Sequence, residues 1–172
     1  YMIITPSGLS YQQTGEEDLV LYDRINGHWE GHRKPSSEKK IHACAYELLP
    51  DTGFVIHTHQ TYASALGLSG AVSMDITEKE KERLGGIAVA AYGLPGTKKL
   101  KKAVAEAMKT GAHTIFLIHH GVVICGSDKT DAYEKAALLE EICKRNCCGQ
   151  ETETVTHQEK ALQKVQEQLA GS

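Results

Sequence analysis

An α/β domain is the fold class this sequence predicts. Three observations carry it: short apolar runs of strand length, amphipathic stretches of helical length between them, and a chain of 172 residues, which fits one domain. Residues AVILMFWYC make up 41% and DEKR 24%, so the chain can bury a core without disulfides or metals for mere folding. The expectation is a single domain over 1–172, with a polar helix or tail over 150–172.

Met2 to Thr5 is a short apolar run that ends in Pro6-Ser7-Gly8 and reads as a buried strand. Asp18 to Asp23 alternates well enough for a second strand, and Asn26-Gly27 accepts the positive φ of a tight hairpin running out through Trp29. Pro35-Ser36-Ser37 precedes Glu38 to Leu49, where Ile41, Cys44, Ala45 and Leu48 recur at helical spacing. Either serine can cap that helix, and Glu38 falls in its first turn. Phe54-Val55-Ile56, bounded by Asp51-Thr52-Gly53, is a strand that delivers the chain into His57-Thr58-His59 before the small-residue helix Tyr62 to Leu68. The charged segment Asp75 to Arg83 is an exposed helix or loop at a surface or subunit edge.

Ile87 to Leu94 is the longest apolar stretch, interrupted at Gly93 and stopped by Pro95. It falls far short of the roughly 18 residues a membrane span needs. Thr97 to Thr110 places Leu100, Val104 and Met108 one turn apart before Gly111, an amphipathic helix with its cap. Thr114 to Ile118 is a buried strand ending at His119-His120-Gly121; Val122 to Cys125 is another, broken by Gly126. Asp128 to Cys148 is a long helix carrying Ala132, Ala136, Leu139 and Cys143 inward, and a last helix lies around Val155 to Leu169.

Nineteen Lys+Arg against 22 Asp+Glu leave a net charge of −3, which supplies no basic field for a polyanion, so a nucleic-acid partner is not expected. Five cysteines without a CxxC pair write neither a disulfide framework nor a zinc ribbon, and fit a reducing cytoplasm. Cys143 and Cys147, at i and i+4 beside Cys148, are read first as small buried hydrophobes and only second as a metal site. Neither a signal peptide nor a membrane segment is apparent. Tyr1 opens inside an apolar run, so further residues are expected upstream.

The sharpest local signal is His57-Thr58-His59 at a strand end. Residues i and i+2 of a strand point to one side, so both imidazoles can meet one ion at the roughly 2.0–2.1 Å of a Zn–N bond. His119-His120-Gly121 ends another strand, and its glycine permits close backbone approach, so a third imidazole can arrive there. Adjacent strand residues face opposite ways, so only one of His119 and His120 should ligate. Glu38 is either a carboxylate at the favourable end of a helix dipole or a proton carrier facing the metal. Ser7-Gly8 and Ser36-Ser37 are either turn and cap chemistry or a phosphate cradle.

Five stretches together resemble the class II aldolase and adducin-head family: Ile4-Thr5-Pro6-Ser7-Gly8, Lys34-Pro35-Ser36-Ser37-Glu38, Val55-Ile56-His57-Thr58-His59, Tyr92-Gly93-Leu94-Pro95-Gly96-Thr97 and His119-His120-Gly121. The resemblance implies a central mixed, largely antiparallel sheet flanked by helices, in a homotetramer with active sites at subunit interfaces. It implies one zinc ion per chain on His57, His59 and His120, with Glu38 as catalytic acid/base. Ser7, Gly8, Ser36 and Ser37 become the phosphate-holding positions. The implied activity is cleavage of a ketose 1-phosphate to dihydroxyacetone phosphate and an aldehyde through a metal-stabilised enediolate.

Alternatives within the family are a sugar-phosphate 4-epimerase, a dehydratase and a non-catalytic assembly module. Two departures from the family bear on these expectations. The family's Gly-Asn-containing phosphate loop does not precede Ile4 in this chain. The two tyrosines its aldolases use are also missing: the corresponding stretch reads Asp75-Ile76-Thr77-Glu78-Lys79-Glu80, and no tyrosine follows Tyr133. Tyr62 and Tyr92 are the tyrosines that fall near the histidines, and packing in the core is the expectation for both.

Overall fold

The computed structural model describes residues 1–70 and 72–149 with their side chains and 150–170 as backbone. Four strands form the central sheet: β4 (Phe54–Thr58), β5 (Ile87–Ala90), β6 (Thr114–Leu117) and β7 (Gly121–Gly126), in spatial order β4-β7-β6-β5. β4–β7 and β6–β7 are antiparallel and β5–β6 is parallel, so the sheet is mixed and largely antiparallel. Three short N-terminal strands, β1 (Met2–Ile4), β2 (Val20–Tyr22) and β3 (Trp29–Glu30), make a separate antiparallel sheet rather than joining it.

Side chains alternate across the central sheet with the period of 2 that a strand imposes. Ile115 and Leu117 of β6 and Val123 and Cys125 of β7 enter one core, shared with α1 (Lys39–Leu48) and α4 (Lys98–Met108). Phe116, Val122 and Ile124 enter a second core on the opposite face, with α2 (Thr61–Leu68) and α5 (Lys129–Ala170). Both faces are covered, which is why β6 and β7 read as continuous apolar runs. Met2, Ile4, Val20 and Tyr22 of the small sheet pack on Ala43 and Tyr46 of α1.

The helix starts follow local chemistry. Thr97 caps α4 through its hydroxyl, and a reciprocal Thr77–Glu80 box starts α3 (Glu78–Arg83), the exposed charged segment. Arg83 pairs with Asp131 and Glu134, and Arg145 with Glu80, tying α3 to α5.

Several boundaries differ from expectation. The β2–β3 connection is not a tight Asn26-Gly27 turn but a wider loop, organised by the Asp23 carboxylate accepting from the Ile25 and Asn26 amides. Ile87–Ala90, seen in the sequence only as an apolar stretch, is a strand paired in parallel with β6. The two helices expected over Asp128 to Cys148 and around Val155 to Leu169 form one element, α5. The side chains of 150–170 and all of residues 71, 171 and 172 lie outside the described residues. No helix among the described residues is long and apolar enough to cross a membrane.

Candidate metal centre

The β4–β7 register builds the site. Thr58 pairs with Val122, so the end of β4 lies beside the start of β7, where the chain has just left His120. His57 and His59 share one side of the strand end, with ring centroids 5.1 Å apart, and His120 stands 4.8 Å and 5.0 Å from them. One ligand atom from each of the three lies within 4.8 Å of the others, and no other such group of three metal-ligating side chains occurs among the described residues. Gly121 permits this approach: a Cβ there would lie 2.5 Å from the Thr58 carbonyl oxygen and 2.7 Å from His59 Cδ2.

Strand alternation does not choose between His119 and His120. Both lie in the turn joining β6 to β7, closed by the His120 amide donating to the Leu117 carbonyl at 3.0 Å. His119 takes a positive φ of 56°, an uncommon conformation for a side chain other than glycine. That twist sends His119 towards the Tyr92 ring, 5.9 Å away, and leaves His120 with the other two histidines.

The three rings suit a cation. His57 Nδ1 lies 3.0 Å from the Val122 carbonyl oxygen, which can only accept, so the proton sits on Nδ1 and Nε2 offers its lone pair. Burial, with His120, His42 and His59 nearby, pushes the His57 pKa down to about 4 despite that hydrogen bond. Burial and His59 lower His120 likewise. Neutral imidazoles are what a metal requires. His120 Nδ1 is buried with no hydrogen-bond partner, an orphan that a metal ion would satisfy. A group of three histidines, with no fourth metal-ligating side chain in it among the described residues, matches a catalytic rather than a four-ligand structural site.

Glu38 is not in the ligand cluster, and it is not in the first turn of α1 either. It stands at the N-cap position, where its side chain makes no capping bond. The residue is 7% exposed and neither carboxylate oxygen has a hydrogen bond of good geometry. Burial raises its pKa, against the opposing pull of the Gly96 amide, His59 and Lys39. A buried, unpaired carboxylate is costly.

The serine pairs come together through an isolated bridge between Pro6 and Pro35, with Ser7 N donating to Lys34 O and Ser36 N to Thr5 O. Those two amides are thereby engaged, which reduces the expected cradle to the Gly8 and Ser37 amides and the serine hydroxyls. Ser36 Oγ accepts from the Glu38 amide at 3.2 Å just ahead of α1, while Ser37, Ser7 and Gly8 are exposed.

Lys39, passed over in the sequence, donates to the Ser36 carbonyl at 3.3 Å and sits beside Glu38. Its signal was there to be read: Lys39-Lys40 opens a helix at the end where the macrodipole disfavours cations. Tyr92 is 42% exposed rather than packed in the core, whereas Tyr62 is half-buried against the α2/α5 core. Among the described residues the cysteines form no second group of three metal-ligating side chains. Cys143 packs on Met74, and burial pushes the Cys125 and Cys143 thiols up to about 12.

Comparison with known proteins identifies the family. Residues 1–147 match the profile of the class II aldolase and adducin N-terminal domain. The chain is 33% identical over 146 residues to the 5-methylthioribulose-1-phosphate/5-deoxyribulose-1-phosphate aldolase of Rhodospirillum rubrum, covering 84% of this chain and 65% of that one. It is 35% identical over 126 residues to the L-fuculose phosphate aldolase of Escherichia coli, covering 72% and 57%. A solved structure of an L-fuculose 1-phosphate aldolase superposes with a TM-score of 0.78 at 31% identity, over 86% of this chain and 69% of that one. The chain thus spans about three fifths of the length of the two relatives. The chain belongs to the class II aldolase and adducin N-terminal domain family.

Proposed function

We propose that the chain carries the catalytic centre of a zinc-dependent aldehyde-lyase that cleaves a ketose 1-phosphate to dihydroxyacetone phosphate and an aldehyde. The observation that supports this best is the cluster of His57, His59 and His120 with the buried Glu38, whose carboxylate oxygens lack a hydrogen bond of good geometry, beside His59. His57, His59 and His120 would hold the zinc, which would supply a Lewis acid to polarise the substrate.

The remaining work falls to the chain. Breaking the C3–C4 bond leaves its electron pair on the three-carbon fragment as an enediolate, and Glu38 delivers the proton that C3 then takes. Its raised pKa keeps that proton available nearer neutral pH than an ordinary carboxyl would. The C4 hydroxyl loses its proton as the aldehyde forms, and the exposed Tyr92 beside His119 is our candidate for the group that receives it. Ser7, Gly8, Ser36 and Ser37 hold the phosphate through hydroxyls and the Gly8 and Ser37 amides, and Lys39 adds a charge. We read the enzyme as a homotetramer of a reducing cytoplasm.

Release of dihydroxyacetone phosphate from a panel of ketose 1-phosphates tests this. Release should require zinc and fall roughly 10²-fold or more in Glu38→Gln. Equal release from metal-stripped protein would overturn the reading.

A further inference from the structure

α2 connects the two segments that carry the histidines. Thr61, its first residue, lies two positions beyond His59, and near its other end the Gly67 carbonyl accepts from the His119 amide at 3.2 Å. A displacement of α2 therefore carries His59 and the His119-His120 turn with it. A helix of 8 residues is not stable by itself. Nor does its N-cap residue help: Gln60 turns its side chain away, donating from Nε2 to the Ala136 carbonyl of α5 at 2.9 Å.

The cap comes from elsewhere in the chain. Glu140 of α5 places Oε1 2.9 Å from the Tyr62 amide and Oε2 3.0 Å from the Ala63 amide. One carboxylate so satisfies two of the helix's orphan N–H groups and puts a negative charge at the favourable end of its dipole. Ala136 and Glu140 are one turn apart, so a single face of α5 holds Gln60, Tyr62 and Ala63 in sequence. Ala63 is 0% exposed in the α2/α5 core, which leaves this grip little play.

We infer that Glu140 is a positioning residue of the metal centre. By capping α2 from α5 it holds His59, and through α2 the turn bearing His120, at ligating distance. This rests on reading His57, His59 and His120 as a metal site. Outer partners that orient metal ligands are typically worth about 10–100-fold in metal affinity.

The test uses the full chain, zinc affinity by competition with a chromophoric chelator, and the visible absorption of cobalt(II) in place of zinc. Glu140→Ala should lose about 10–100-fold in affinity and change the cobalt spectrum. Glu140→Gln keeps one acceptor oxygen and should fall between it and wild type, and it carries the comparison if Glu140→Ala does not fold. Thr77→Ala, which removes the cap of the exposed α3, should keep wild-type affinity and spectrum. Wild-type affinity and spectrum in the Glu140 variants would overturn the inference, as would an equal loss in Thr77→Ala. A wild-type chain that binds neither metal would remove the underlying reading and the inference with it, an outcome recognisable before any variant is made.

Discussion

The Nδ1 atom of His57 lies 3.0 Å from the carbonyl oxygen of Val122, its acceptor on the neighbouring strand. This contact ties the tautomer of one ligand to the β4–β7 ladder that also brings His120 into place. Backbone register and ligand chemistry are thus coupled, and each prediction below tests part of that coupling.

The metal-free protein should lose stability as pH falls from about 6.5 to about 4. His57 and His42 are both held down to about 4 by burial, below the ordinary value near 6.5. Between those values the unfolded chain binds more protons than the folded one, so stability rises with pH there and is lost on acidification. Each histidine contributes at most about 1.4 kcal/mol per pH unit. Urea midpoints across this range check the slope, which should shrink in His42→Gln.

Gly121→Ala should damage the centre more than its size warrants. The added methyl meets the Thr58 carbonyl at 2.5 Å and the His59 ring at 2.7 Å, and the first is backbone that cannot rotate away. We expect a loss of about 1–3 kcal/mol in stability, together with weaker zinc binding. Gly111→Ala is the comparison: it has the strained φ of 83° but nothing within 4 Å. It should be destabilised with zinc affinity intact, and a Gly121→Ala protein that binds zinc normally would refute the geometric argument.

Glu38→Gln should separate turnover from folding. Burial makes the charged form of Glu38 costly, so its folded pKa lies above the unfolded one, and the folded state is penalised as pH rises through that interval. The neutral amide removes the penalty. The variant should therefore unfold at an equal or higher urea concentration than wild type near neutral pH while turnover drops roughly 10²-fold or more. A marked loss of stability would recast Glu38 as a structural residue.

Substrate phosphate should be felt at the Ser36-Ser37 corner. Ser37→Ala and Lys39→Met should each raise KM more than they lower kcat, because they contact a group remote from the bond that breaks. Inorganic phosphate should compete with substrate in wild type and compete less well in Lys39→Met. Equal turnover of a phosphate-free ketose would count against the assignment.

Much of the site was legible because local rules decide it. HxH at a strand end puts two rings on one side by alternation alone, and a glycine beside the second histidine pair announced a close backbone approach that Gly121 makes. The choice of His120 was not decided that way: it depends on the positive φ of His119, a turn property that alternation does not reach. The helix over α1 was plain from its apolar spacing, yet its start was expected one residue early: Lys39 is the first helical residue and Glu38 stands at the N-cap position. Ile87–Ala90 was missed as a strand because all four of its residues are apolar, so no period-2 alternation marks it, although β5 is the edge strand of the sheet and only Ala90 is buried. Asp23 and Glu140 were invisible because their partners are backbone amides, and in the case of Glu140 those amides lie more than 70 residues away.

The most direct measurement is hydrogen exchange at C3 of dihydroxyacetone phosphate, followed in deuterium oxide with zinc-loaded, zinc-stripped and His59→Ala protein. It reads the proton transfer assigned to Glu38 without needing the aldehyde. We predict exchange in the loaded wild type, none in the stripped protein, recovery when zinc is returned, and no recovery in His59→Ala. Exchange that persists in the stripped protein, or none in a chain carrying one zinc ion, would contradict the account.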